Sequence, residues 1–282
     1  MIRLTREVRF SVDRDWAGRV EFTRPLTNSW AGWPSAVGLV PYLCLRATVE
    51  GEPDPRTGYL CNIKVIDELL RQHGIPHAAE QLERHGWRLP AERLLRQVFE
   101  RVAAEAPPGA PLVKLELCAT PYLRYAVERP RAAAASGRRA GPSPESLDMV
   151  YLTQQFEFAA AHRLHCPQLS DAENRAIFGK CNNANGHGHN YLLEVTLVGT
   201  PDPASGALTP LPKFEALVKE RVIDRLDHKH LNEDTAEFRE VNPSVENIAR
   251  VVWSMLDGAF GDVTLHRVRV WETPKTCAEY SR

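Results

Sequence analysis

The run Cys181-Asn182-Asn183-Ala184-Asn185-Gly186-His187-Gly188-His189-Asn190-Tyr191 places a thiol and two imidazoles within one short stretch. Thiolate and neutral imidazole both bind zinc-like ions, and a thiolate left free of metal is a base or nucleophile. Downstream, Leu193, Val195 and Leu197 alternate with Glu194 and Thr196, the period of a half-buried strand. His187 and His189 sit near the start of that strand on one face and can share an ion. A third imidazole comes from Gln155–His162, whose alternation puts His162 at a strand end on the face of Phe156, Phe158 and Ala160. Three imidazoles with a fourth position open describe a catalytic rather than a structural zinc site. Cys181 has Lys180 beside it in an Asn- and Gly-rich loop, which favours thiolate. Its spacing fits either a base or a fourth ligand.

Several elements must position these groups. Phe214, Leu217, Val218, Val222 and Leu226 recur at helical spacing, and that helix ends in Asp227-His228-Lys229-His230. An Asp beside a His can orient the imidazole for proton relay, although such a pair also occurs as a helix-end ion cluster. Asn242-Pro243 predicts an N-cap with Pro at the first helical position, opening a helix that carries Ile248, Val251, Val252 and Met255. Glu246 in its first turn suits the helix dipole. The last strand alternates Val268 and Val270 with Arg267 and Arg269 and ends in Trp271-Glu272-Thr273, where Glu272 could hold a flat amide-like edge by two hydrogen bonds.

The chain has 282 residues, 43% hydrophobic and 25% charged, with a formal charge of -1. It is long enough for two domains, and its balance gives no general pull toward nucleic acid or an anionic membrane. No stretch approaches a membrane span and the start, Met-Ile-Arg-Leu-Thr-Arg-Glu, has no apolar core, so a cytoplasmic location is expected. The six cysteines lack CxxC spacing and are expected to be reduced. Residues 129–146, rich in Pro, Gly and Arg, are expected to be a linker between domains at 1–128 and 147–282.

The two halves share a plan. Leu45 to Pro55, closed by Thr57-Gly58, matches Leu193 to Pro203, closed by Ser205-Gly206, and both predict a strand, a turn and a returning strand. Glu92 matches Glu246, and Thr120-Pro121 matches Thr273-Pro274. In that register His187, Gly188 and His189 fall opposite Leu39, Val40 and Pro41, and Glu272 falls opposite Ala119, so the first half has no site. His73, His77 and His85 of the first half are expected to be surface residues.

Phe158–His162, Phe178–Asn183, Asn185–Tyr191, Leu226–Lys229 and Trp271–Thr273 together resemble the 6-pyruvoyl-tetrahydropterin synthase family, which also includes 6-carboxytetrahydropterin synthase. The resemblance covers about residues 151 to 280. It implies an α+β architecture of tandem tunnelling-fold domains, each an antiparallel sheet with helices on one face, the first being a degenerate copy. By similarity His162, His187 and His189 are the Zn²⁺ ligands, Cys181 the general base, Asp227 and His228 the relay pair, and Glu272 the pterin anchor. Glu246 joins Glu272 in holding the substrate.

The implied substrate is a pterin, 7,8-dihydroneopterin triphosphate, converted with loss of triphosphate and without a redox cofactor. The five residues between Cys181 and His187 resemble the pyruvoyl-forming enzymes, whereas Asn242–Glu246 looks more like the carboxy-forming group of the queuosine pathway, which releases acetaldehyde. A non-catalytic zinc- and pterin-binding module is a third reading. The family's oligomeric plan implies a homo-oligomer, with two units per chain reaching six as a trimer.

Overall fold

The computed structural model describes residues 1–12, 41–129 and 149–282. They form two compact units, residues 1–152 with 199–208, and residues 153–198 with 209–282. The linker expected over 129–146 lies, from residue 130 onward, outside the described residues.

In the first unit, strands β1 (Ile2–Ser11), β2 (Tyr42–Gly51), β3 (Leu112–Thr120) and β4 (Leu123–Glu128) form a consecutive antiparallel sheet. Between β2 and β3 lie α1 (Ile63–Leu69), a π turn at Leu70–Gly74, α2 (Ile75–His85) and α3 (Ala91–Ala104). Val8, Phe10, Leu45 and Leu115 on the sheet are buried, as are Leu95, Val98 and Phe99 on the helices. Each such side chain contributes about 1.5–3 kcal/mol on leaving water. Several polar residues pair across the strands, including Arg3 with Glu50 and Glu128, and Arg46 with Glu7 and Glu116. Thr5 and Thr48 join by their hydroxyls at 2.8 Å.

The second unit carries β5 (Val150–His162), α4 (Asp171–Phe178), β6 (His187–Gly199), α5 (Leu211–Val218), a π turn at Lys219–Ile223, and α6 (Asp224–Leu226). Then come β7 (Lys229–His230), α7 (Leu231–Asp234), α8 (Val245–Leu256), β8 (Thr264–Thr273) and β9 (Thr276–Tyr280). The sheet runs β5, β6, β8, β9, with β7 parallel on β5. Thr153 and Thr196 join at 2.9 Å across β5 and β6. Phe214, Val218 and Val222 bury one side of the first helical run, and Ile248, Val252 and Leu256 do the same for α8.

Three expectations change. No strand follows the Pro-Asp-Pro turn in either half, because each turn leads straight into a helix, α1 or α5. Each turn is closed on itself, Gly58 N–H donating to Asp54 O and Gly206 N–H to Asp202 O, so the chain reverses without a ladder. The N-cap of α8 is Ser244, whose hydroxyl accepts from Asn247 N–H, and Pro243 stands outside the helix. Its carbonyl is thereby free for another partner. His77 is buried on α2 rather than exposed. Among the described residues no helix is long and apolar enough to cross a membrane.

Candidate functional site

His162 ends β5 and is fully buried at 0% exposure, while His187 and His189 open β6 two residues apart and hence on one face. The ring nitrogens available from these three residues lie within 4.8 Å of one another. His162 Nδ1 lies 2.7 Å from the Pro243 carbonyl, which can only accept, so the proton sits on Nδ1. That leaves the Nε2 lone pair facing the cluster, 3.1 Å from His187 Nε2. Two imidazole nitrogens at that separation, with His189 Nε2 buried and lacking a hydrogen-bond partner among the described residues, have the donor set of a metal site.

The electrostatics agree. Burial drives the His162 ring down to about 4, the Pro243 bond opposing this and the neighbouring imidazoles adding to it. His187 is also lowered, chiefly by burial and next by His189. Both rings are therefore neutral near pH 7, the form that ligates a cation.

Glu272, near the end of β8, directs Oε1 at the cluster, 3.4 Å from His162 Nε2 and 3.6 Å from His189 Nε2. Tyr191 stacks on Phe158 at 4.9 Å, and its hydroxyl comes to 3.5 Å from His162 Nδ1. Burial pushes its phenol up, with Glu272 and Cys181 adding to the shift, so the hydroxyl keeps its proton.

Asp227 and His228 follow α6. Asp227 accepts from Ala159 N–H at 2.8 Å through one oxygen and from His228 Nδ1 at 2.8 Å through the other. The Ala159 amide, with smaller help from His228, holds the Asp227 carboxyl below the usual range. His228 N–H donates to Ala159 O at 2.6 Å, and its backbone has φ 55, a conformation that costs a non-glycine residue about 1–2 kcal/mol. His228 is thus 83% exposed yet rigidly placed. It shares an open cavity of about 490 Å³ with Ala159–Ala161, Gly188–Asn190, Lys229 and His230.

Cys181 lies in a 3-10 turn, Gly179–Asn182, after α4, and is half-buried. Its carbonyl accepts from Leu164 N–H, and the Asn182 amide group donates to Leu164 O, which fixes the turn against the segment after β5. No hydrogen bond joins the Cys181 sulfur to His228 among the described residues. Glu246 is exposed in the first turn of α8 and has no partner among the described residues.

The three histidines and Glu272 converge, as do Asp227 and His228 within their pair. Among the described residues neither the Cys181 sulfur nor the Glu246 carboxylate bonds to the cluster, although Cys181 is near enough to Tyr191 to raise its phenol. Sequence reasoning missed the Pro243 carbonyl and gave no role to Tyr191 or to His230, whose Nε2 crowds Gly186. A proline before a helix start carries no sign that its carbonyl serves a histidine 81 residues away.

A family profile for 6-pyruvoyl tetrahydropterin synthase matches residues 151–282. The Drosophila melanogaster 6-pyruvoyl tetrahydrobiopterin synthase is 39% identical over 133 residues, covering 47% of this chain and 79% of that protein. The Homo sapiens 6-pyruvoyl tetrahydrobiopterin synthase is 40% identical over 129 residues, 46% of this chain and 89% of that one. The structure of Caenorhabditis elegans 6-pyruvoyl tetrahydropterin synthase matches with 39% identity and a TM-score of 0.45, over 48% of this chain and 96% of that one. The matched stretch, residues 151–282, contains His162, His187 and His189. Through its second half, the chain belongs to the 6-pyruvoyl tetrahydropterin synthase family.

Proposed function

We propose that the chain converts 7,8-dihydroneopterin triphosphate to 6-pyruvoyl-tetrahydropterin with loss of triphosphate. The observation that carries this is the cluster of three imidazoles, the tautomer of His162 set by Pro243, in the part about 40% identical to synthases of that name. We assign zinc to it, with His162, His187 and His189 as ligands. When bound there, zinc supplies a Lewis acid that polarises oxygens of the substrate side chain without an added proton.

The remaining chemistry belongs to the chain. Cys181 accepts a proton from a side-chain carbon of the substrate, and triphosphate departs with the electron pair of its C–O bond. The later shift of hydrogens is internal to the substrate, so no outside oxidant or reductant is needed. Asp227 holds His228 in one orientation, and His228 passes protons at the cavity mouth. The exposure of His228 and its lack of a bond to Cys181 favour a relay that acts on the site of a neighbouring copy. In this reading Glu272 anchors the pterin ring by hydrogen bonds and Glu246 joins it in holding the substrate. The test is product analysis with zinc-loaded protein and dihydroneopterin triphosphate. A pyruvoyl product without acetaldehyde supports the assignment, and a carboxy product with acetaldehyde replaces it.

We further infer that residues 1–128 and 147–282 are tandem copies, the first without a metal site. The turns support this bond for bond: Asp54 Oδ1 accepts from Arg56 and Thr57 N–H, and Asp202 Oδ1 from Ala204 and Ser205 N–H. Thr57 and Ser205 hydroxyls each accept from the residue two on, as do those of Thr120 and Thr273. Thr5–Thr48 and Thr153–Thr196 are one pair repeated, and the register pair Arg46 with Glu116 returns as Glu194 with Arg269, charges exchanged. A homo-oligomer, six units from three chains, follows from this reading, and a solution mass of one chain would overturn it.

A further inference from the structure

In the first unit the strand register sets two thiols side by side. Cys44 on β2 is the direct partner of Cys118 on β3, and the same row runs on to Arg9 on β1 and Arg124 on β4. The next row on that face holds Glu7, Arg46 and Glu116. Leu45 and Leu117, one residue along, point to the opposite face and are buried. The thiols therefore stand among the charged residues of the sheet rather than among the leucines. Directly opposed residues of an antiparallel pair have Cα atoms about 4.5–5.5 Å apart, a span that a disulfide bridges. The side chains already meet, the Cys44 thiol donating a hydrogen bond to the Cys118 sulfur. Cys118 also has room to adjust, since the β3–β4 register shifts between it and Thr120.

The two thiols are unequal. Cys118 is lowered, first by the hydrogen bond from Cys44 and then by the Arg46 and Arg124 guanidiniums, with burial and Glu116 opposing. Cys118 Sγ lies 3.8 Å from Glu116 Oε1, whose charge Arg46 takes up at 2.9 Å. Cys44 is raised by the same thiol–thiol bond and by burial. Cys118 is half-buried and Cys44 buried behind it, and both are free. An accessible attacking thiolate backed by a protonated resolving thiol is the arrangement that thiol–disulfide exchange requires.

We propose that Cys44 and Cys118 form a redox-active dithiol that exchanges with small, carboxylate-bearing disulfides. The Cys118 thiolate attacks one sulfur of the small disulfide, its S–S bond breaks, and one thiolate leaves. Cys44 then gives its proton to that thiolate and attacks the Cys118 sulfur, and the second thiolate departs. The dithiol loses two electrons and the small disulfide gains them, so no other oxidant enters. Arg9, Arg46 and Arg124 stand in the two rows against the carboxylates Glu7 and Glu116, a balance that favours an anionic partner. The new bond closes the segment 45–117, with α1, α2 and α3 inside it, and ties β2 to β3.

The test adds oxidised glutathione to the full zinc-loaded chain, alkylates the remaining thiols and maps the digest by mass spectrometry. A linked Cys44–Cys118 peptide is expected, formed about tenfold or more faster at low salt than with cystamine, a cationic disulfide, the gap narrowing as salt rises. Cys44→Ser should accumulate the glutathione adduct on Cys118, and Cys118→Ser should leave Cys44 without one. No linked peptide under conditions that convert the exposed Cys277 to its adduct overturns the proposal. An adduct on Cys44 in Cys118→Ser overturns Cys118 as the attacking sulfur, and equal rates with the two disulfides at every salt concentration overturn the anionic preference. The linked peptide and its rates are read on the parent chain, so they decide the matter whether or not a serine variant folds.

Discussion

Acidifying the metal-free chain is expected to destabilise it through His162 before any carboxylate is titrated. The ring is fully buried and its value falls to about 4 in the fold, against about 6.5 for an imidazole in an unfolded chain. As pH drops, the unfolded chain binds the proton first, so the contribution is fully present above about pH 6.5 and is lost as pH falls toward about 4. At about 1.4 kcal/mol per decade of acidity, His162 alone removes about 2 kcal/mol by pH 5 and about 3 kcal/mol below pH 4. His187, lowered for the same reason, acts in the same direction. Urea unfolding of metal-free protein at fixed chain concentration, between pH 7.5 and 5, measures the loss. His162→Gln removes the titrating group, and its stability should vary with pH by about 2 kcal/mol less than that of the parent over this window. Equal pH slopes, or a His162 ring whose NMR titration falls near 6.5, would refute the assignment of burial as the cause. Competition between a proton and the metal for the folded His162 lone pair should set in only as pH approaches about 4, below the window in which the metal-free fold is weakened.

Three other outcomes are expected. Cys181→Ala should reduce turnover by about 10²–10⁴-fold with zinc content by atomic absorption unchanged; loss of zinc would make the thiol a ligand instead. His228→Gly relieves the φ of 55 and should raise the unfolding free energy by about 1 kcal/mol while abolishing the relay, and an unchanged rate would remove His228 from the reaction. Gly186→Ala places a methyl 2.6 Å from His230 Nε2 and 2.9 Å from the His162 carbonyl at a φ of 68, so a stability loss of about 1–3 kcal/mol and weaker zinc binding by calorimetry are expected.

What the sequence made legible was local, and what it hid was carried by pairing between distant strands. His187 and His189 declare a shared face because the two-residue period of a strand fixes it, and His162 could be added from the alternation before it. The helix ending in Asp227-His228 was equally readable from apolar spacing. Glu272 was placed at a strand end correctly, yet its neighbours could not be read, because they depend on β8 lying beside β6, with Leu192 opposite Trp271. That register carries the carboxylate to the imidazoles. The α8 cap shows the same limit at shorter range. Asn242, Pro243 and Ser244 all suit a helix start, and propensity favoured the first two. The choice fell to Ser244 while Asn242 accepts from His165 N–H and Pro243 from His162, so both are engaged by the segment at the end of β5. A cap displaced by two residues is therefore what connects α8, and Glu246 on it, to the metal site.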